Sequence, residues 1–422
     1  MTRLPEFPQR RPFSQRHPIV ILVVLILMAT VVSVTVVTVW RQVDINRRQD
    51  ALQPFYTPPS PLPPGVPGQL LRSEPFDSGV PGTRAWRVLY RSEDAAGNTT
   101  VSSGMVFAPS APPTSSGYPV MAWAHGTVGM GNACAPSRSA NPMGQLTWLN
   151  TMIANGWVVA ATDYSGLGTP GTLRYLVGQD AARDVINSAR AARNLVPTSN
   201  RLMVYGHSQG GASSLWTGEI VGTYAPELQL VAVAAAAPAA ELGPLLDQQW
   251  NNGVGWAIGA EVLRAWPMTY PELSANQVTS KVGQRNYARV ANECILDAAL
   301  EGLARQYAGQ QIFRSNPNGE PQWANRVAEN TPPPFPATVP VLVIQGLADT
   351  IVLPNTTTLL AQRWCSAGSN LTTAWLGDQG HMTLGKVGGP LATTWLQQRL
   401  AGIPATSTCG TTLPVAPYQR TN

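Results

Sequence analysis

The fold is decided by one stretch of the chain, Arg201-Leu-Met-Val-Tyr-Gly-His-Ser-Gln-Gly-Gly211. An apolar run ends abruptly at Gly206, a Gly-His-Ser-Gln-Gly turn follows, and small residues compatible with a helix begin at Gly211. A strand, a sharp turn and a helix, with a serine at the apex, are typical of a nucleophile turn, because its two glycines permit a strained backbone with close neighbours. The alternative is a glycine-rich turn that carries a solvated serine. We interpret Ser208 as a candidate nucleophile.

Apolar strands alternate with helical segments on both sides of this turn. Short buried-strand patterns occur before it at 119–124 and 157–162, and after it at 230–237, 340–345 and 371–376. Such alternation favours an open, mostly parallel sheet whose active groups lie on loops at the carboxyl ends of the strands. Two alternating segments at 85–90 and 100–107 predict antiparallel strands ahead of this sheet. The sequence therefore predicts an α/β fold with a mostly parallel central sheet.

The alternation stops in one long segment, residues 240–331. It is rich in Trp, Leu and Ala at helical spacing, and about ninety residues are too many for a loop between two strands. We predict a largely helical cap or lid here, inserted into a catalytic domain formed by 70–239 and 332–422. The alternative is a packing subdomain that has no role at the site.

A serine nucleophile requires a base to take its proton and an acid to orient that base. In α/β-hydrolases these groups follow in the order serine, acid, histidine. Of the four histidines, only His381 follows Ser208 at a distance, in a glycine-rich loop after a predicted strand. Asp349 follows the strand at 340–345 and is the predicted acid, while Asp378, in the loop of the histidine itself, is the competing candidate. We predict that Ser208, Asp349 and His381 form a catalytic triad.

The transition state of acyl transfer also needs hydrogen-bond donors for its developing oxyanion. The backbone N–H of Gln209, directly after Ser208, is the first predicted donor. The second comes from a backbone amide of Gly126 or Thr127 at an earlier strand end, or from the carboxyl of Asp163. A carboxyl donates only when it is protonated, a state that an apolar site favours by raising its pKa. For Asp163 the alternative is a turn-capping role.

Composition argues against several other classes of protein. Charged residues make up 12% of the chain and hydrophobic residues 44%, which is typical of a globular and rather apolar protein. The net charge of +5 comes in large part from N-terminal arginines, and no dense Lys/Arg run follows, so nucleic-acid binding is not indicated. The sequence contains no metal-ligand spacing, phosphate-binding loop or nicotinamide fingerprint. We therefore predict neither a metal nor a cofactor.

The N-terminus carries a location signal. Residues 19–40 include no charge and measure about 33 Å as a helix, enough to cross a bilayer core of about 30 Å. Arginines lie on the N-terminal flank and no small-residue cleavage site follows. We therefore predict an uncleaved signal anchor with a cytoplasmic tail at 1–18 and an extracytoplasmic catalytic domain; a cleaved signal and a secreted domain are the alternative. Seven prolines between Gln53 and Gln69 predict a stiff, extended linker within 41–69.

Together, these stretches resemble the secretory lipase family of α/β-hydrolases, extracellular lipases with a helical cap. The resemblance covers roughly residues 70–410 and is carried by the segments 118–127, 161–168, 206–211, 345–349 and 380–381. It implies an α/β-hydrolase fold with Ser208, Asp349 and His381 as the triad, and it implicates Asp163 in the oxyanion hole. The predicted anchor and linker depart from the fungal members, which are released.

Four cysteines in an exported chain indicate two disulfides, for which three pairings are possible. The resemblance to the secretory lipases implies the pairs Cys134–Cys294 and Cys365–Cys409.

These observations predict an anchored serine hydrolase that cleaves carboxylic esters of lipids through an acyl-enzyme intermediate, with a monomeric catalytic domain. A short-chain carboxylesterase or a peptidase of the same fold is the alternative within this chemistry. An inactive hydrolase fold that binds lipid or a partner in the cell envelope is the alternative from another class.

Overall fold

The structure, a computed structural model, describes residues 18–420. The chain divides into two units, 1–54 and 55–422. The predicted cytoplasmic tail lies outside the described residues, except for its last residue.

The described part of the first unit is one long helix, α1 (Pro18–Tyr56), whose last two residues already belong to the second unit. It is long and apolar enough to cross a membrane, although a signal sequence near an N-terminus meets the same criteria. The helix continues through 41–56, where the sequence predicted the start of a linker. This part is polar but suited to a helix, since Asp44 pairs with Arg48 one turn later at 3.0 Å and Gln42 bonds Asn46 at 2.9 Å.

The proline-rich stretch after α1 is hydrogen-bonded to the rest of the second unit and does not form the separate spacer that we predicted. Arg72 donates to the carbonyl of Thr57 at 2.6 Å, and Arg91 donates to that of Pro63 at 2.7 Å. Tyr56 is fully buried, its hydroxyl lies 2.7 Å from that of Ser137, and the Arg138 guanidinium stacks 4.5 Å above its ring. The compact unit therefore begins at Phe55 and not at the predicted residue 70.

A nine-stranded sheet forms the centre of the second unit. Its strands are β1 (Leu70–Phe76), β2 (Thr83–Glu93), β3 (Thr99–Pro109), β4 (Tyr118–Ala124), β5 (Val158–Thr162), β6 (Thr198–His207), β7 (Gln229–Ala236), β8 (Val341–Gly346) and β9 (Leu371–Leu376). The spatial order is β1-β2-β3-β5-β4-β6-β7-β8-β9. The first three strands and the β3–β5 pair are antiparallel, and the remaining pairs are parallel. Strand β1 was not predicted from the sequence.

Helices cover both faces of the sheet. Outside the cap they are α2 (Leu149–Ala154), α3 (Gly178–Ala192), α4 (Gln209–Tyr224), α10 (Pro354–Ser366) and α11 (His381–Leu400), with short 3-10 helices at Asn132–Cys134 and Pro136–Arg138. The central parallel strands are largely buried, and β7 reads as a continuous run of Ala and Val. Small side chains there allow helices to pack closely on the sheet and fix the loops at its carboxyl edge.

The segment between β7 and β8 consists largely of helices. It contains α5 (Leu242–Gln249), α6 (Gly253–Thr269), α7 (Lys281–Asn292), α8 (Ile295–Tyr307) and α9 (Pro321–Glu329), with 3-10 turns at Ala275–Gln277 and Pro317–Gly319. Three fully buried tryptophans, Trp256, Trp266 and Trp323, form much of its interior. We refer to residues 240–331 as the cap.

Both disulfides are present with the pairing that the resemblance implied, and no described cysteine is free. Cys365–Cys409 links α10 to the C-terminal segment. Cys134–Cys294 joins the loops after β4 to the start of α8 in the cap. Two backbone bonds reinforce the second link, from Met130 N–H to Ala291 O at 2.8 Å and from Ile295 N–H to Val128 O at 2.9 Å.

The cap also contains a buried carboxyl group, that of Glu261 on α6. It is 1% exposed, its Oε1 atom has no hydrogen-bond partner among the described residues, and burial raises its pKa well above its usual range. Folding therefore favours the protonated acid. The stability that this acid contributes is complete below the unfolded pKa of about 4.3 and is lost as the pH rises towards the folded value.

We expect Glu261→Gln, which cannot ionise, to gain stability relative to the wild type as the pH rises from 4 to 9. The difference should grow by up to about 1.4 kcal/mol for each pH unit over which the wild-type acid stays protonated. Thermal unfolding of both proteins across this range measures it, and Glu74→Gln, at an exposed acid, is the control. Parallel stability curves for the wild type and Glu261→Gln would contradict the buried, protonated acid.

Candidate active site

Ser208 lies at the apex of a strained turn between β6 and α4. Its φ of 61° is rare for a residue with a side chain. The turn requires glycine at positions 206 and 210, because neighbouring backbone oxygens leave no room there for a Cβ atom. A Cβ on Gly206 would lie 2.2 Å from the Gly210 oxygen, and one on Gly210 would lie 1.9 Å from the Ala124 oxygen. The strain therefore holds the Ser208 hydroxyl away from its own backbone.

The structure brings the three predicted triad residues together. The Nε2 atom of His381 lies 2.9 Å from the Oγ of Ser208, and its Nδ1 lies 2.8 Å from the Oδ2 of Asp349. The three residues follow β6, β8 and β9, whose carboxyl ends lie at the same edge of the parallel sheet. Asp378, the competing acid, is exposed on the loop before His381.

The Asp349 carboxylate is held by its own loop. Its Oδ1 atom accepts the backbone N–H groups of Ile351 at 2.8 Å and Val352 at 2.9 Å, which leaves Oδ2 for His381. An acid that is held in this way fixes the tautomer of the imidazole, with the proton on Nδ1 and a free lone pair on Nε2 towards Ser208. The arrangement suits a general base.

Three of the residues predicted to supply oxyanion donors lie close to Ser208. Gln209 is buried at the first position of α4, and its N–H makes no hydrogen bond within the described part of the chain. A Cβ on Gly126 would lie 3.4 Å from that of Ser208, so the backbone of this loop is adjacent to the nucleophile. Thr127 lines the same pocket as Ser208, and its hydroxyl is held by the hydroxyl of Tyr175 at 2.6 Å.

Asp163 does not direct its carboxyl group at Ser208. The Ser103 hydroxyl donates to Oδ2 at 2.6 Å, the Ser137 N–H donates to Oδ1 at 3.0 Å, and the Ser137 hydroxyl also bonds Oδ2. Burial raises the pKa of this carboxyl, although the serine hydrogen bonds oppose the rise. These contacts correct the predicted role of Asp163 as a side-chain donor to the oxyanion and favour a buried support for the neighbouring loops.

Two histidines that the sequence analysis gave no role also support the site. The ring nitrogens of His125 lie 2.6 Å from the carbonyl oxygen of Gly126 and 3.2 Å from that of Asp163, and burial lowers the pKa of this ring. Burial also lowers the pKa of His207 to about 3, and its ring lies 4.6 Å from that of His381. His207 is therefore neutral near pH 7 and adds no charge beside the base.

An apolar pocket extends from Ser208 into the cap. Its walls include Leu245, Leu246, Trp250, Ile258, Trp266 and Trp323. The cap residues Trp256 and Leu263 instead pack in the interior, and Leu303 is 47% exposed. Such a pocket suits a hydrocarbon chain bound next to the nucleophile.

Within residues 18–420, no group of three or more His, Cys, Asp or Glu side chains could hold a metal ion.

A mostly parallel sheet with a serine turn after β6 and an acid and a histidine on later loops defines an α/β-hydrolase fold. The sequence profile of the secretory lipase family matches residues 142–408. The chain belongs to the secretory lipase family, and the fold and family predicted from the sequence are confirmed.

Similar proteins and structures agree with this assignment. Lipase 5 of Candida albicans is 26% identical over 388 residues, which cover 84% of this chain and 82% of that protein. A Mycobacterium tuberculosis protein named "Probable inactive lipase MT1628" is also 26% identical, over 377 residues that cover 84% of this chain and 83% of that protein.

Among solved structures, Candida antarctica lipase A in its closed state gives a TM-score of 0.70 at 17% identity and covers 86% of this chain and 89% of its own. The rice cell wall degrading esterase LipA of Xanthomonas oryzae gives a TM-score of 0.67 at 21% identity and covers 80% of this chain and 100% of its own. These likenesses concern the fold.

Proposed function

We propose that the protein is a serine hydrolase that cleaves carboxylic esters of lipids. The observation that carries the proposal is the contact of His381 with both Ser208 and Asp349 at the mouth of an apolar pocket. One relative, from Mycobacterium tuberculosis, is named a probable inactive lipase. An inactive hydrolase fold is therefore the competing hypothesis. The complete hydrogen-bonded triad supports activity in this chain.

The geometry supports a two-step acyl transfer. The Ser208 oxygen attacks the ester carbonyl carbon while its proton passes to Nε2 of His381, and the imidazolium that forms is stabilised by Asp349. The oxyanion of the tetrahedral intermediate accepts the Gln209 N–H and an N–H of the Gly126–Thr127 loop. When the intermediate collapses, the bond to the alcohol breaks and His381 returns the proton to the alcohol oxygen. Water then attacks the acyl-enzyme by the same route, which releases the acid and restores Ser208.

The length of the apolar pocket determines which esters are favoured. Each methylene that leaves water contributes up to about 0.8 kcal/mol, but only the part expressed in the transition state raises the rate. We therefore expect kcat/KM for p-nitrophenyl esters of the purified protein to rise by one to two orders of magnitude from acetate to octanoate. A steady fall from acetate onwards would instead identify a short-chain esterase, and faster cleavage of matched p-nitroanilides would identify a peptidase.

A matched pair of cap variants tests whether the pocket causes this rise. Leu246→Trp should fill the pocket, which Leu246 lines, and should flatten the profile while acetate hydrolysis is retained. Leu303→Trp adds the same bulk at an exposed position of the cap and should leave the profile unchanged. Equal effects of the two substitutions would argue against the cap as the acyl-binding element.

We further propose that α1 anchors the protein in the cell membrane and that the catalytic domain is extracytoplasmic and monomeric. The uncharged run at 19–40, the arginines before it and the two disulfides support this location, since disulfides persist in oxidising compartments. Release of the protein from membranes by alkaline carbonate would contradict anchoring.

A further inference from the structure

The apolar pocket contains one polar group without a partner. Gln249, the last residue of α5, is 6% exposed and lines the pocket together with Ser208. Its side-chain nitrogen donates to the carbonyl of Ile351 at 2.7 Å, while its oxygen, Oε1, is buried and accepts no hydrogen bond from any described residue.

The orientation of this amide is fixed by its neighbour. If the amide were turned over, its oxygen would face the Ile351 carbonyl oxygen, and two acceptors would repel each other. The amide nitrogen therefore stays on Ile351, and the carbonyl remains as the acceptor. A buried acceptor without a partner destabilises the protein unless a bound molecule satisfies it.

Several other polar side-chain groups of the pocket already have partners. The hydroxyls of Thr127 and Tyr175 bond each other, and the indole N–H of Trp266 donates to the Tyr175 carbonyl at 3.0 Å. The indole N–H of Trp323 donates to Gln277 at 3.0 Å. Among the buried side-chain atoms of residues 18–420 that lack a partner, only Oε1 of Gln249 belongs to a residue that lines this pocket.

The contact with Ile351 also locates this acceptor along the pocket. Ile351 N–H holds the carboxylate of Asp349, so the loop that carries the acid also holds the Gln249 amide. The free oxygen therefore belongs to a side chain that is held by the loop carrying the predicted catalytic acid.

We propose that Gln249 is a specificity-determining residue whose Oε1 accepts a hydrogen bond from a hydroxyl group of the substrate close to the ester bond. This inference rests on the proposed ester hydrolase function and adds the substrate class, a hydroxylated ester. The hydroxyl belongs either to the acyl chain or to the alcohol, and both sources present the same O–H donor to the pocket.

Two pairs of substrates separate these sources. The first pair is p-nitrophenyl octanoate and p-nitrophenyl 3-hydroxyoctanoate, and the second is propyl octanoate and 2,3-dihydroxypropyl octanoate. We expect the full-length wild type to prefer the hydroxylated member of one pair by roughly tenfold or more in kcat/KM, because a site built around a hydrogen bond discriminates against a ligand that lacks the donor. The pair that shows the preference identifies the side of the ester that carries the hydroxyl.

Gln249→Met should reduce that preference to about one. Gln248→Met is the matched control, since the Gln248 amide already has two partners, Pro244 O at 2.9 Å and Asn355 at 2.8 Å. A residue that only held the Asp349 loop would lower kcat/KM equally for both members of a pair, so an unchanged ratio would overturn the inference. The kcat/KM ratios of the wild type for the two pairs are measured without any variant, so the inference can be tested even if a variant does not fold.

A failure of the inference about Gln249 can be distinguished from a failure of the proposed ester hydrolase function. Equal hydrolysis of both members of each pair by the wild type overturns the role of Gln249 and leaves the ester hydrolase proposal intact. Hydrolysis of none of the four esters overturns both.

Discussion

Replacing Ser208 with alanine is expected to lower kcat for ester hydrolysis by a factor on the order of 10⁴ to 10⁶. The substitution removes the oxygen that lies 2.9 Å from Nε2 of His381, and no other hydroxyl at the site contacts that base in the described residues. A fluorophosphonate, which reacts only with an activated serine, should label the wild type at Ser208 and fail to label the variant. Mass spectrometry of the labelled peptide measures the result.

The control for this experiment lies on α4, the helix that follows Ser208. Ser214 is buried on α4 and donates only to the Gly210 carbonyl, at 2.8 Å, so Ser214→Ala should keep both labelling and activity. Thermal unfolding of Ser208→Ala should remain close to that of the wild type. Labelling that persists in the variant would assign the nucleophile to another residue, and an unlabelled wild type would favour an inactive fold such as the name of the Mycobacterium tuberculosis relative describes.

Asp349→Asn is expected to lower kcat by roughly 10³- to 10⁴-fold. The two amides of Ile351 and Val352 select the oxygen of the new side chain, so its NH₂ group faces Nδ1 of His381. A donor in that position requires Nδ1 to be unprotonated, which places the ring proton on Nε2. His381 then cannot take the proton of Ser208. The pre-steady-state rate of acylation should fall along with the steady-state rate.

Asp378→Asn is the matched control for this substitution, since it changes the acid that competed for the same role. It should leave kcat within about twofold of the wild type, because the side chain is exposed on the preceding loop. When Asp349→Asn and His381→Ala are combined, the loss in kcat should be smaller than the product of the two single losses, because the two groups act as a unit. Independent, multiplicative losses would argue against a coupled triad.

The triad could be predicted because its signals are local. A serine turn needs its glycines within two residues, and the acid and the histidine each directly follow an apolar strand. The environment of Asp163 could not be predicted in this way. Its partners Ser103 and Ser137 come from distant parts of the chain, and an ordinary serine in sequence gives no sign that it will hold a buried carboxyl.

Other differences have equally physical origins. The end of α1 was not predicted because the uncharged run ends at residue 40 and prolines indicate a linker after it, whereas pairs such as Asp44–Arg48 stabilise a polar helix. Proline content predicted a stretch without regular structure after α1, but it could not predict that Arg72 and Arg91 would fix this stretch to the domain. The free oxygen of Gln249 depends on how α5 packs against the Asp349 loop, and this contact joins residues that are far apart in sequence.

The covalent and hydrogen-bonded junction between the cap and the loop after β4 limits how substrates can enter and products leave. Cys134–Cys294, together with the backbone bonds at Met130 and Ile295, ties the start of α8 to the loop that continues from Thr127. This junction therefore holds the cap to the loop that carries two of the predicted oxyanion donors. We expect passage to open instead around α5 and α6, which contain neither disulfide. Under the proposed function, the predicted donors then stay in position while the product leaves and the next ester enters.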